Sequence, residues 1–353
     1  MAEEHTPPLA GESLRTDTLE PLWDDGTDLA SDDESTATSM VSGGGGTDSA
    51  IDDLDGESTC TLPGDIPVVE EEGRKYHDPD KYPLPNDEQE QERLDMLHEQ
   101  WRVSHDEKLL LCPQEVFQRV LDIGTGTGIW AIEFADEHPE AYVIGVDISP
   151  IQPNLVPPNC EFQIDDAELE WTWGQPFDFI HGRMLGGCFK DPINIFEQAF
   201  QHLQPGGFFE VKDILLTLKC DDGTLEGDSP LLTWARLLAG AADNMGRPIH
   251  LASRYRQMLV EVGFTHVDVV EQKWPTNGWA KNRKLRELGR WSQLTFGREL
   301  ETISTALLMH GLGWDAKEVS ILCALVRKEF QNPRVHAYFP VLTAFGMKPL
   351  GEA

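Results

Sequence analysis

The segment Leu121-Asp122-Ile123-Gly124-Thr125-Gly126-Thr127-Gly128 is where residue type and spacing first point to chemistry. Glycines at alternate positions between an apolar run and a helical pattern let the backbone pass close to a ligand and aim its amide groups at the ligand's negative end. The spacing is G-x-G-x-G with an acid two residues before the first glycine, whereas a dinucleotide site shows G-x-G-x-x-G opening onto the pyrophosphate. Asp122 would repel a pyrophosphate but suits a cationic ammonium, and a ligand that combines ammonium, carboxylate and adenosine groups is S-adenosylmethionine. Asp147 stands 19 residues after Gly128, where a carboxylate accepts hydrogen bonds from both ribose hydroxyls, a spacing that NAD sites share. Asp165-Asp166, followed by Ala167, is a third acidic point, placed to accept from the adenine amine. Three acids at successive strand ends favour a nucleoside-type cofactor, S-adenosylmethionine over NAD. The expected cofactor contacts are Asp122, Gly124, Thr125, Gly126, Gly128, Asp147, Ile148, Asp165, Asp166, Ala167 and Arg183, with no metal.

Methyl transfer from a sulfonium needs little acid or base help when the nucleophile is already good, so positioning supplies much of the rate. A hydroxyl nucleophile would still want a base, and His181, at a strand end, is the catalytic candidate; the competing reading is a satisfied structural histidine. Arg183 and Met184 are placed to line the same mouth. His98, Arg93 and Trp101 could close over the cofactor from an early helix, with Trp101 also readable as core.

The elements that must position these groups follow from periodicity. Apolar runs at residues 120–123, 142–147, 161–164, 177–181 and 208–211 read as strands, and helical spacing separates them through Ile129, Ile132 and Phe134, then through Ile193, Phe196, Phe200 and Leu203. Strand alternating with helix means a doubly wound parallel sheet. Ahead of it, Leu94, Leu97 and Trp101 mark one face of a helix starting near Asn86. After it, residues 220–260 and 281–330 read as helical insertions flanking a strand candidate at 266–270. Ligands of open α/β sheets sit at the carboxyl ends of the strands, so these insertions are candidate lids. The last apolar piece, at 336–342, carries Pro340 and is expected as a closing edge strand.

Charge divides the chain. Of 353 residues 62 are acidic and 28 basic, a net of -34, which argues against a phosphate-neutralising nucleic-acid surface. Residues 1–80 hold 22 acids against 3 bases, and residues 1–72, poor in large apolar side chains, are expected to be a disordered acidic tail before a domain spanning 73–353. The chain shows no membrane-length apolar run and opens without the pattern of a signal peptide, so a cytoplasmic or nuclear protein is expected. Six scattered cysteines form no C-x-x-C pair and suggest neither zinc nor a disulfide framework. The basic cluster within residues 281–286 is weighed as a solvated helix face against an import signal.

The string VLDIGTGTGIWA at 120–131 resembles the first motif of class I methyltransferases and, more fully, of the LaeA-like fungal methyltransferases. The likeness extends to Lys81-Tyr82-Pro83-Leu84-Pro85-Asn86-Asp87-Glu88, to the helix from Glu92 leading to Trp101, to Gln204-Pro205-Gly206-Gly207, to Trp274-Pro275-Thr276-Asn277, and to the ending from His336 to Pro349. It implies a seven-stranded class I methyltransferase sheet, use of S-adenosylmethionine, a role in fungal secondary metabolism or development, a metabolite or protein substrate and, for a regulator, velvet-type partner proteins. Asp166 is the better aligned adenine acid. The alternative is a cofactor-binding regulatory scaffold acting through partners with little turnover. The Asn-Pro-Pro-Tyr type signature of amino-directed nucleic-acid methyltransferases is missing.

Overall fold

The computed structural model describes residues 68–79 and 81–351, so the expected tail lies, through residue 67, outside the described residues. The described residues include a hairpin that spans the boundary expected at 72. Strand β1 (Val69–Glu71) pairs antiparallel with β2 (Arg74–Tyr76) through a turn at Gly73, and Glu71 is held by His310 Nε2 at 2.8 Å.

The main sheet has seven strands: β3 (Arg119–Ile123), β4 (Tyr142–Asp147), β5 (Cys160–Ile164), β6 (Phe177–Arg183), β7 (Leu203–Ile214), β8 (Thr265–Pro275) and β9 (Tyr338–Met347). Their spatial order is β5-β4-β3-β6-β7-β9-β8, with β3 to β7 parallel and β9 antiparallel to both neighbours. The order reverses at β3, where the chain leaves for β4 on one side and β6 on the other, and the glycine turn follows β3. Ligands bind at such a switch point.

Strand pleating sends successive side chains to opposite faces. Val120, Val143 and Phe179 join Trp130 and Phe134 of α2 (Ile129–Glu137) on one face. Leu121, Ile144, Ile180 and Phe209 meet α3 (Pro192–His202) and α5 (Tyr255–Val262) on the other. Both faces are covered, which is why the strands read as continuous apolar runs rather than alternating ones.

Two expectations are corrected here. The C-terminal strand is internal, between β7 and β8, and runs on to Met347. Pro340 is tolerated because it lies beyond the last β7 pair, Ile214 with Val341; its carbonyl accepts from Leu215 N at 2.8 Å, and its missing N–H removes one bond at the end of the ladder. The insertion at 220–260 is two things. Helix α4 (Pro230–Asn244) leaves the sheet, whereas α5 packs under it as a crossover helix, with Tyr255, Met258 and Leu259 in the sheet's core.

A separate helical core is built by α1 (Glu88–Ser104), α4, α6 (Arg283–Ser292), a π-helical turn (Gln293–Gly297), α7 (Leu300–Leu312) and α8 (Ala316–Phe330). It stands at the ends where β7 and β8 finish and β9 begins, since Ile214, Trp274 and Phe339 enter it. Trp234 and Trp274 are completely buried there, and each indole N–H is satisfied, by Ser304 Oγ at 2.8 Å and Ser104 Oγ at 2.7 Å. Trp101 packs edge-on against Trp274 with centroids 4.8 Å apart, which makes it core rather than a cofactor cover. The basic cluster opens α6 on its solvent side: Asn282 caps the helix through Leu285 N at 3.1 Å and Lys284 pairs with Asp106 at 2.7 Å. No helix among the described residues is long and apolar enough to cross a membrane.

Candidate functional site

A cavity opens over the switch point. Its floor is the turn from Gly124 to Thr127, its sides are Asp147, Ile148 and Ser149 after β4 and residues 165–168 after β5, and Arg183, Met184 and Leu185 after β6 close one end. Gly124, Gly126 and Gly128 have φ of 64°, 59° and 81°, the left-handed region that disfavours side chains. At Gly128 a Cβ would also fall 2.3 Å from the Phe162 ring. The turn is therefore bare backbone by steric necessity.

Asp147 ties the turn to β4. Its Oδ2 accepts from Gly126 N at 2.8 Å and its Oδ1 from Ser149 N at 2.9 Å, which leaves each oxygen a second lone pair toward the cavity. Burial pushes this carboxyl up to about 6. Along the far wall, Asp166 accepts from Glu168 N at 3.0 Å through one oxygen and pairs with Lys81 through the other, while Asp165 Oδ1 accepts from Asp166 N at 2.8 Å. Ala167 lines the wall, and its carbonyl is spent on Trp171 Nε1 at 3.0 Å. Arg183 reaches the cavity and makes a hydrogen bond to His98 Nδ1 at 3.1 Å; burial lowers it to about 10, so it stays charged.

Asp122 and His181 are not at the cavity surface. Asp122 is 3% exposed, its Oδ2 accepts from Thr125 Oγ1 at 2.6 Å and its Oδ1 is 2.7 Å from His181 Nδ1. Direct contact with an ammonium, as expected from sequence, is therefore corrected. Its depth, not a lack of lone pairs, keeps it from the cavity: Asp122 lies behind the turn and fixes Thr125. Burial raises it to about 6.

His181, expected as the catalytic base, does not line the cavity. It lies one pleat below Arg183, has no exposed surface, and stacks on Trp130 with centroids 3.8 Å apart and planes 11° from parallel. Its pKa is held well below the usual imidazole value by burial, with the Lys212 and Arg183 cations adding to the effect. The ring is neutral: Nδ1 donates to Asp122, and the buried Nε2 has no hydrogen-bond partner among the described residues.

Sequence reasoning missed the roof. Lys81, Tyr82, Pro85 and Asn86 line the cavity together with Leu94 and Leu97 of α1. The strap they form is anchored at both ends, by Lys81 on Asp166 and by Arg74, whose Nε and Nη2 bond Asp87 at 2.6 and 2.8 Å while its Nη1 reaches Thr302 of α7 at 2.6 Å. Asp87 is also the N-cap of α1, accepting from Glu90 N at 3.1 Å. Two prolines beside an aromatic just ahead of a capped helix were the available signal. His98 extends the network: Nε2 is 2.9 Å from Glu133, which Arg102 also binds, and burial lowers this histidine to about 4.

A second, apolar cavity adjoins the first. Phe296, Ile303 and Leu307 face Pro83, Leu84, Ile214 and Ile249 across it. Its polar edge is Tyr82, Arg93 and Asp213. Arg93 is taken up by Glu90 at 2.6 and 2.7 Å, and Asp213 accepts from Gly186 N, Ile214 N and Tyr255 Oη at 2.6, 2.9 and 2.8 Å. The C-terminal helices and α1 thus stand over an apolar space that shares Tyr82, Leu94, Leu97 and Met184 with the first cavity.

Residues 89–269 match the family model described as a methyltransferase domain. The chain is 36% identical over 302 residues to the methyltransferase pytC of Aspergillus terreus, covering 84% of this chain and 93% of that one. It is 37% identical over 296 residues to the secondary metabolism regulator laeA of Aspergillus fumigatus, covering 82% and 79%. With the protein-methionine methyltransferase laeA of Emericella nidulans the identity is 38% over 287 residues, covering 80% and 76%. On this fold, this glycine turn and these relatives, the chain belongs to the LaeA-like fungal methyltransferases and is a class I enzyme dependent on S-adenosylmethionine.

Proposed function

We propose that the first cavity holds S-adenosylmethionine and the second the methyl acceptor. The residues fit this division. Asp147 faces the ribose, residues 165–167 the adenine, Arg183 the carboxylate, Ile148 packs against the nucleoside, and the amides of the glycine turn close on the remainder. S-adenosylmethionine supplies an electrophilic methyl group whose departure leaves a neutral thioether. The chain's own work is to orient, to exclude water and to leave the acceptor's lone pair free.

The observation that carries the acceptor class is the second cavity's lining. Among the described residues its ionisable groups are engaged: Arg93 is paired, Asp213 takes three hydrogen bonds, and burial raises Tyr82 well above the ordinary phenol value. An acceptor here needs no proton removed. A neutral, soft nucleophile in apolar surroundings fits, and the thioether of methionine in a protein or peptide is the one we favour, in keeping with the name of the Emericella relative. A sulfur lone pair forms the new S–CH3 bond as the old one breaks, its electron pair returning to the departing sulfur. The product is a sulfonium and no proton moves.

We further place the enzyme in fungal secondary metabolism or development, in the cytoplasm or nucleus, with velvet-type proteins as partners, and assign methyl transfer to the domain expected over residues 73–353. The test is incubation of the purified chain with methyl-labelled S-adenosylmethionine and protein and metabolite extracts of a strain lacking the gene. Label on methionine side chains is expected. Label confined to oxygen- or nitrogen-linked methyl groups would overturn the thioether reading.

A further inference from the structure

Among the described residues four line both cavities: Tyr82, Leu94, Leu97 and Met184. Three of these bring only hydrocarbon or a thioether to the seam. Tyr82 brings a hydroxyl, while the cations nearest it are spent elsewhere, Lys81 on Asp166 and Arg93 on Glu90. Its backbone is pre-set, because the following Pro83 restricts Tyr82 to extended conformations and the preceding Lys81 is latched to Asp166 at the adenine end. A half-buried hydroxyl on a backbone held from both sides, at the junction of the two cavities, is placed where a ligand spanning them would meet it.

We propose that the Tyr82 hydroxyl is a positioning group for methyl transfer, its oxygen facing the reacting methyl carbon and keeping it in line with the acceptor. The inference rests on the reading of the first cavity as the S-adenosylmethionine site. The physical basis is that hydrogens on a carbon bound to a sulfonium are polarised, so an oxygen lone pair beside them restricts their orientation through weak C–H···O contacts. Tyr82 takes no proton in this role. Burial keeps the phenol protonated at neutral pH, so the oxygen offers lone pairs while its O–H remains available to the acceptor. Because Lys81 grips the adenine wall and Tyr82 the seam, neighbouring residues of one strap serve the two ends of the reaction.

The experiment compares two probes by calorimetry: S-adenosylhomocysteine, which lacks the methyl group, and sinefungin, which carries an amine-bearing carbon where the methylated sulfur would be. Tyr82→Phe removes only the hydroxyl. It is expected to weaken sinefungin about tenfold, the loss of one hydrogen bond from a charged donor, and to leave S-adenosylhomocysteine within about twofold. Lys81→Met, at the adenine end, should weaken both probes to the same degree. With methyl-labelled cofactor at saturation and extract protein as acceptor, Tyr82→Phe should lower turnover without raising the cofactor's KM. Equal loss of both probes in Tyr82→Phe would make the side chain a mere wall, and no change in either would place the hydroxyl away from the methyl; both results overturn the proposal. Failure of the unmodified chain to bind S-adenosylhomocysteine would instead sink the cofactor reading, and this proposal with it.

Discussion

Replacing Asp147 by Asn tests the ribose assignment most directly, because the change keeps the shape and removes one acceptor. In the native site Oδ1 takes Ser149 N–H at 2.9 Å and Oδ2 takes Gly126 N–H at 2.8 Å. An amide presents one oxygen and one NH2, so whichever way it turns, a donor faces a donor. Against that loss stands a gain, since burial already penalises the charged form and raises the carboxyl to about 6. Fold stability should therefore change little, by about 1 kcal/mol in either direction. Cofactor affinity has no such compensation. Two ribose hydroxyls lose a charged acceptor, a cost of about 1.5–3 kcal/mol, or roughly 10- to 150-fold in Kd. The wild type should in addition bind S-adenosylhomocysteine with constant affinity above about pH 7 and lose about tenfold per pH unit below about 6, because the proton taken up by free Asp147 must leave on binding. Asp147→Asn should lose this acid limb. The assay is titration calorimetry between pH 5 and 8, with urea unfolding to confirm the fold. A folded variant with Kd within twofold of wild type, or with the acid limb intact, would refute the assignment.

Other perturbations reach different parts of the molecule. His181→Gln leaves Asp122 without its buried partner and should cost about 1–3 kcal/mol in urea unfolding while the pH–rate profile keeps its shape; a turnover loss near a thousandfold with unchanged binding would restore the histidine as a base. Gly128→Ala places a methyl 2.3 Å from the Phe162 ring at φ 81°, so a melting temperature lowered by several degrees and loss of S-adenosylhomocysteine binding are expected, and an alanine tolerated in both assays would show that the turn rearranges freely. Trp234→Ala empties the centre of the helical core and breaks the bond to Ser304, for about 3–5 kcal/mol by chemical unfolding; a cost under about 1 kcal/mol would mean that the helices pack loosely.

What could be read from sequence followed from how local its cause was. The glycine turn is legible because left-handed φ at 124, 126 and 128 leaves glycine little competition, and the five parallel strands are legible because burial on both faces writes continuous apolar runs. Depth was not legible. Residues 181 and 183 share a strand face, and nothing in their spacing says that Arg183 reaches the cavity while His181 stops one pleat short against Trp130. Asp122 was read correctly as an acid beside the turn and wrongly as exposed to it, because its depth behind the turn comes with contacts to Thr125 and His181 that only the fold assembles. The same holds for β9. Proline argues for an edge in general, yet Pro340 falls just past the last β7 pair while β8 still pairs with it through Lys273, and that register with β7 joins segments more than a hundred residues apart.

The strap and α1 carry one further consequence, which concerns the order of synthesis. The roof of the cofactor cavity is translated early, whereas its seats come late: Thr302, which holds Arg74, follows it by 228 positions, and Trp274 and Ser292, which receive Trp101 and Gln100, are nearly as remote. At roughly 5–20 residues per second the helix waits on the order of 10 to 50 s at the ribosome with Leu97 and Trp101 uncovered. During that time it is a ready client for a holdase. A chain truncated before α6 would carry the glycine turn and every residue of the strap, and would lack Ser292 and Thr302, the seats that hold Gln100 and Arg74 in place.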